Sequence, residues 1–184
     1  MSLDFIYGEE PLSDMEKVIL VDSEDNQIGE EEKLKAHRKG LLHRAFSVFV
    51  FNSKNEMMIQ KRLISKYHSG GLWSNTCCGH PKVGEEIDKA ATRRLREEMG
   101  FRSELREVFT FKYKVGFENG LFEHEIDHVF IGRYDGEAVC NPKEVENWKW
   151  IGLGEIKDEI EKHPEKYSFW LKSVCERVIS LVEN

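Results

Sequence analysis

Residues 75–101, NTCCGHPKVGEEIDKAATRRLREEMGF, limit the possible folds more than any other part of the chain. Ile87, Ala91, Leu95 and Met99 recur every four residues, which draws one apolar stripe along a helix. Gly100 follows the last of them, and glycine ends helices there because it accepts a left-handed backbone. A helix with one apolar stripe must bury it against a sheet or another helix. Its polar faces carry Arg93, Arg94, Glu97 and Glu98, and the loop before it brings Cys77, Cys78, His80 and Glu85. That is an unusual density of reactive and metal-ligating side chains for so short a stretch.

The surrounding segments alternate between strand and helix character. Residues 17–21 (KVILV) predict a strand that enters the polar turn DSEDNQIG of a first hairpin. Residues 30–39 are charged and compatible with a helix. Residues 42–51 are β-branched and aromatic and predict a central strand, followed by a turn at 52–55 and a returning strand at 57–62. Residues 63–74, with SGG and several basic residues, predict a loop. Residues 109–115 and 122–134 flank Glu118-Asn119-Gly120, a hairpin signal. Residues 147–153 predict a further strand, and residues 154–163 a helix stopped before Pro164. Residues 168–182 predict an amphipathic helix burying Leu171, Val174, Cys175, Val178 and Val182. The fold class is α+β, a mixed sheet flanked by helices. A single domain over 1–184 is expected, with 1–16 as a partly disordered extension; MSLDF is set aside as a cloning remnant.

Composition narrows the function. A net charge of −7 argues against general affinity for nucleic acid or anionic membrane. No apolar run reaches the length of a membrane span, and the N-terminus lacks a signal-peptide pattern. Four cysteines, two of them adjacent, do not form a secreted disulfide framework, so a cytoplasmic monomer acting on a small molecule is expected.

The spacing G-x5-E-x7-R-x-U-x-E-E-x-G-U is filled by Gly79, Glu85, Arg93, Leu95, Glu97, Glu98, Gly100 and Phe101. It resembles the Nudix box, a loop–helix–loop whose glutamates hold a divalent metal against a diphosphate, and so implies an α/β/α sandwich. Oxygen ligands suit a hard cation such as Mg²⁺. Paired charges at i,i+4, Arg93–Glu97 and Arg94–Glu98, would explain any single pair as a solvated face but not the whole pattern. One position departs: the hydrolytic pattern has Glu where this chain has Arg94. A guanidinium keeps attraction for diphosphate and removes a carboxylate that could help activate water, which disfavours phosphoanhydride hydrolysis.

The stretches GLLHRAFSVFVFN, LWSNTCCGHP, FKYK, FEHEIDHVF and YSFW are similar to the type 1 isopentenyl-diphosphate Δ-isomerases. The resemblance runs from about residue 17 through the last helix. On spacing alone, Glu123, Glu125 and Asp127 share one strand face, and an exposed face would account for them. The family resemblance implies instead that His37, His43, His80, Glu123 and Glu125 hold Mn²⁺, Mg²⁺ or Zn²⁺. It also implies Mg²⁺ at Glu98 bridging to the substrate diphosphate, and diphosphate contacts from Lys33, Arg62, Lys66 and Arg94. Cys78 matches the catalytic cysteine, Tyr113 the tyrosine beside the metal-bound acid, and Trp170 the tryptophan against the alkene. His124 and His128 point to the opposite strand face and are expected to be structural.

Moving an unactivated double bond needs a proton added at one carbon and another removed at an allylic carbon, through a tertiary cation. The expected division puts Glu125 and Tyr113 on one substrate face as donor and the Cys78 thiolate on the other as acceptor, with Trp170 facing the cation. Two other functions compete. A hydrolase of a nucleoside diphosphate derivative would release phosphate, and a non-catalytic binding module would turn nothing over.

Overall fold

The structure, a computed structural model, describes residues 16–183; apart from Glu16, the expected N-terminal extension lies outside them. The sheet is built on β3 (His43–Phe51), nine residues buried nearly throughout. Along one edge the whole of β3 pairs in parallel with β8 (Phe122–Arg133), from Glu125 onward, and β8 pairs antiparallel with β7 (Leu105–Gly116). Its other pairings are shorter. β1 (Lys17–Val21) meets it at His43, β6 (Cys77–Gly79) at Phe46–Val48, and β4 (Met57–Arg62) at Val50 and Phe51. β2 (Gln27–Glu32) extends β1, while β5 (Trp73–Ser74) and β9 (Val145–Ile151) pair with β4. One parallel pair among antiparallel ones makes the sheet mixed, as expected.

Helices cover both faces, and strand alternation decides what each meets. Phe49 and Phe51, Met57 and Ile59, Val129 and Ile131 pack against α3 (Leu153–Lys162) and α4 (Phe169–Glu183) through Ile156, Leu171, Val174 and Val178. Their alternates Val48, Val50, Met58 and Phe130 pack against α2 (Ile87–Met99) through Ala91, Leu95 and Met99. A strand buried on both sides reads as an unbroken apolar run, as residues 42–51 do. Gly100 closes α2 at φ 80°, with its amide donating to the Arg96 carbonyl. The Val139 carbonyl occupies the space a side chain there would need.

Three local expectations are corrected. Glu30–Glu32 belong to β2 and lie opposite Lys17–Ile19, because a strand ladder outweighs their helix preference; the helix α1 is only Lys33–Lys39. Trp73–Ser74 and Cys77–Gly79, expected as loop, are short strands too brief to show a period of two. Val182 is only partly buried on α4, where Ile179 completes the buried stripe.

Candidate active site

The face of β8 that carries Ile131 and Val129 beneath α4 continues into Asp127, Glu125 and Glu123, so one sheet surface turns from apolar to acidic. Register then assembles the site. His43 and Tyr113 both lie opposite Glu125, on β3 and β7, and Cys78 on β6 lies opposite Ser47. The first turn of α4 brings in Trp170, whose Nε1 donates to Ser74 Oγ at 2.9 Å and Asn75 Oδ1 at 3.0 Å. These groups border a cavity of about 220 Å³, room for several waters or a small organic ligand. Lys33, Arg62, Lys66, Cys78, His80, Arg94, Glu98, Tyr113, Glu123, Glu125 and Trp170 all line it, while His37 and His43 are fully buried.

At one end, the ligating atoms of His37, His43, His80, Glu123 and Glu125 all lie within 4.8 Å of one another. His37 Nδ1 and His43 Nδ1 sit 2.6 and 2.8 Å from the carbonyls of Lys33 and Leu41, so both must be N–H donors. Their Nε2 atoms are thereby turned toward the acids. His43 Nε2 faces His80 Nε2 at 3.2 Å, and His80 Nε2 lies 2.9 Å from Glu125 Oε1. His37 Nε2 and Glu123 Oε2 are 3.1 Å apart but out of line, and neither has a hydrogen-bond partner. Buried lone pairs converging in this way call for a positive charge. Burial opposes protonation of His37, yet Glu123 beside it raises its pKa, so a proton partly answers the call. Burial pushes His80 down to about 4 and leaves it a neutral ligand. Three imidazoles and two carboxylates fit a divalent cation.

The acids divide the charge among themselves. Burial and Glu123 push Glu125 up, but the imidazoles of His43 and His80 outweigh them and hold it below the usual range. Burial likewise raises Glu123, and His37 and His68 beside it hold it well below. Burial and Glu125 push Asp127 well above its ordinary value, making it the neutral member; it accepts from Ser47 Oγ at 2.7 Å. The exposed-face account of these three acids therefore fails: all are buried.

Tyr113 Oη donates to Glu125 Oε2 at 2.6 Å, and burial with Glu125 keeps the phenol protonated. On the lining of the same cavity, burial pushes the Cys78 thiol up to about 12 against the pull of Arg62, whose Nη1 is 3.6 Å from Sγ. The Arg62 guanidinium also lies 5.2 Å from the Trp170 ring centroid. Cys77 is fully buried on the α2 side.

The other cations are already paired with carboxylates. Lys33 binds Glu16 at 2.8 Å, and Lys66 binds Glu144. Arg94 binds Glu98, Glu97 at 2.9 Å and Glu144 at 3.5 Å. Gln60 Nε2 donates to the second Glu98 oxygen at 2.8 Å. His124 and His128 face away, bonding to Gly40 O at 2.9 Å and to Asp25 and Glu107.

Sequence reasoning missed Glu16, Glu144 and His68. The two glutamates sit in segments without pattern. His68 lies in the loop 63–72, and only its place five residues before the WSNTCCGHP stretch hinted at proximity.

The chain is similar to known proteins in sequence and in fold. The NUDIX domain matches residues 41–171. The chain is 54% identical over 165 residues to "Isopentenyl-diphosphate Delta-isomerase 2" of Aromatoleum aromaticum, covering 90% of this chain and 87% of that one. It is 46% identical over 159 residues to "Isopentenyl-diphosphate Delta-isomerase" of Serratia proteamaculans, covering 86% and 89%. Among solved structures, DR0079 from Deinococcus radiodurans superimposes with a TM-score of 0.75 at 22% identity, over 88% of this chain and 98% of that one, which bears on the fold alone. The matching domain and the close sequence relatives agree: the chain belongs to the isopentenyl-diphosphate Delta-isomerase family.

Proposed function

We propose that this protein interconverts isopentenyl and dimethylallyl diphosphate by proton addition and removal through a tertiary cation. The observation that supports the reading is that two candidate proton-transfer groups, Glu125 with Tyr113 and Cys78, line one cavity with a cationic rim. A proton added to the terminal methylene carbon of isopentenyl diphosphate leaves the cation on the tertiary carbon. Loss of a proton from the neighbouring CH₂ completes the shift, with no phosphate released.

In the substrate-free chain the proton shared by this pair sits on Cys78. With the forward donor assigned to the Glu125–Tyr113 side, turnover requires that proton to pass from Cys78 to Glu125 once the ion and the substrate are bound, because Glu125 is ionised in the ion-free chain. Cys78 then acts as base, its thiolate favoured by Arg62 alongside. Trp170, held by Ser74 and Asn75, offers a π-face to the cation, worth about 2 kcal/mol when desolvated.

His37, His43, His80, Glu123 and Glu125 would hold the resident divalent ion, which supplies positive charge that orients Glu125 and strengthens it as an acid. Lys33, Arg62, Lys66 and Arg94 would receive the diphosphate, with Mg²⁺ entering beside Glu98. The diphosphate must then displace Glu16 and Glu144 from Lys33 and Lys66. All four cysteines are free, in keeping with a reducing cytoplasm. No helix among the described residues is long and apolar enough to cross a membrane, and a monomer acting on a small diphosphate suffices for this chemistry.

Incubation with labelled isopentenyl diphosphate and Mg²⁺ tests the reading. Dimethylallyl diphosphate should form without free phosphate; phosphate release from a nucleoside diphosphate derivative instead would overturn it.

A further inference from the structure

His68 has no place in the two-sided proton chemistry, yet its ring is buried between aromatic neighbours with Nε2 against Glu123. It is 8% exposed. It stacks on Phe117, with centroids 4.9 Å apart and planes at 12°, and meets Trp170 edge-on at 5.9 Å. The loop that carries it is pinned from two sides. Asn119 Nδ2 donates to the Tyr67 carbonyl at 2.6 Å, and the Gly71 amide donates to the Arg62 carbonyl at 2.9 Å.

The consequence falls on Glu123. His68 Nε2 lies 2.5 Å from Glu123 Oε1, an approach that requires a proton between the two atoms. Glu123 Oε2 faces the other way, 3.1 Å from His37 Nε2 and 3.8 Å from His43 Nε2, and has no hydrogen-bond partner. A carboxylate on a flexible side chain could present either oxygen, or turn both partly away. Tethering Oε1 leaves Oε2 as the atom directed into the histidine cluster.

We propose that His68 is a positioning residue for the metal centre, gripping Glu123 through Oε1 so that Oε2 is presented to a divalent cation. The inference rests on the metal-binding reading above. It adds a residue outside the five whose ligating atoms converge. Groups that orient metal ligands in this way commonly account for ten- to hundredfold in affinity.

Two substitutions separate the grip from the packing. His68→Phe keeps a ring against Phe117 and Trp170 but has no donor; His68→Gln keeps an N–H donor and loses the ring. Each protein is stripped with chelator and titrated with Mn²⁺ alone, and free Mn²⁺ is counted by electron paramagnetic resonance. His68→Phe should bind Mn²⁺ at least tenfold more weakly than the unaltered protein, and His68→Gln within about threefold of it. Equal weakening of both variants, or unaltered binding by His68→Phe, would overturn the proposal. Failure of the unaltered protein to bind Mn²⁺ would remove the metal reading itself, a distinct result. Because His68→Phe could compromise folding, ¹⁵N resonances of the histidine rings in the unaltered, ion-free protein give a second test. His68 should carry its proton at Nε2; a bare Nε2 would overturn the assignment.

Discussion

Glu85, Glu97 and Glu98, on and just before α2, and Glu123, Glu125 and Asp127 on β8 are two triplets of acids with opposite electrostatic solutions. Around α2 the partners are guanidinium groups, which are charged at every accessible pH. Arg93 binds Glu85 and Glu97, and Arg94 binds Glu97 and Glu98. Each of these acids has a guanidinium partner with nothing added. On β8 the partners of Glu123 and Glu125 include imidazoles, which can be neutral, and all three acids are buried. The first triplet can serve as a fixed scaffold, whereas the second is complete only with protons or a cation. Charge that must be supplied from outside is what a site needs if it is to hold a metal and move protons.

The largest expected effects fall on the β8 side. Glu125→Gln and Cys78→Ala should each lower the isomerisation rate by about 10² to 10⁴, the range for loss of a positioned acid or base. Product formation from labelled substrate checks this, and a near-normal rate in either variant would dissolve the assigned two-sided chemistry. Removing divalent ions with chelator should abolish turnover reversibly. Activity should return with added Mn²⁺ or Mg²⁺, and circular dichroism should show the fold retained, because the apolar clusters on the two sheet faces hold it without an ion.

Next in size is Arg94→Leu, which probes the opposite triplet. Glu98 is 5% exposed and would keep only Gln60 as a partner. Leaving a buried carboxylate unpaired costs 3–5 kcal/mol in a fully buried pair, and the partial exposure of Arg94 reduces this to about 2 kcal/mol. The urea midpoint measures it. An unchanged midpoint would mean that Glu98 does not depend on its guanidinium.

The same contrast explains what the sequence could convey. The α2 triplet was legible because its partners lie three, four or eight residues away along the chain, distances a periodic pattern encodes. The β8 cluster draws His37 from α1, His43 from β3 and His80 from just past β6 to Glu123 and Glu125, a juxtaposition that only folding creates. Family resemblance identified those positions; composition alone favoured an exposed strand face, and burial overturned that. His68 and Glu144 had neither signal, since each reaches the cavity through an irregular segment. The short strands at Trp73–Ser74 and Cys77–Gly79 were missed for a related reason: their partners, not their residues, make them strands.

Cys78 gives a pH test of the same asymmetry. Its thiol is pushed up to about 12 by burial, and only the thiolate is alkylated. Inactivation by iodoacetamide in the ion-free protein should therefore be slow near pH 8. It should rise about tenfold per pH unit through pH 10 and beyond, where an ordinary thiol has levelled off above about 8.5. Arg62→Leu should slow it further by removing the cation beside Sγ. A plateau near pH 9 would show that Arg62 cancels the effect of burial and that the group titrates as an ordinary thiol.

The smallest expected effect belongs to Arg93, at the exposed end of the α2 triplet. Its Nε and Nη2 meet the two Glu85 oxygens at 2.7 and 2.8 Å, a bidentate fork that ties the loop before α2 to the helix. Isolated surface ion pairs are worth about 0–1 kcal/mol, and the fork geometry puts this one at the upper end. Arg93→Lys retains the charge but not the fork, so it should cost stability nearly as much as Arg93→Ala if geometry matters and almost nothing if charge alone does. Thermal unfolding at low and high salt distinguishes the two. A loss that persists at high salt in both variants would mark the contact as a hydrogen-bonded clasp, and a loss that vanishes would reduce it to a screened surface charge.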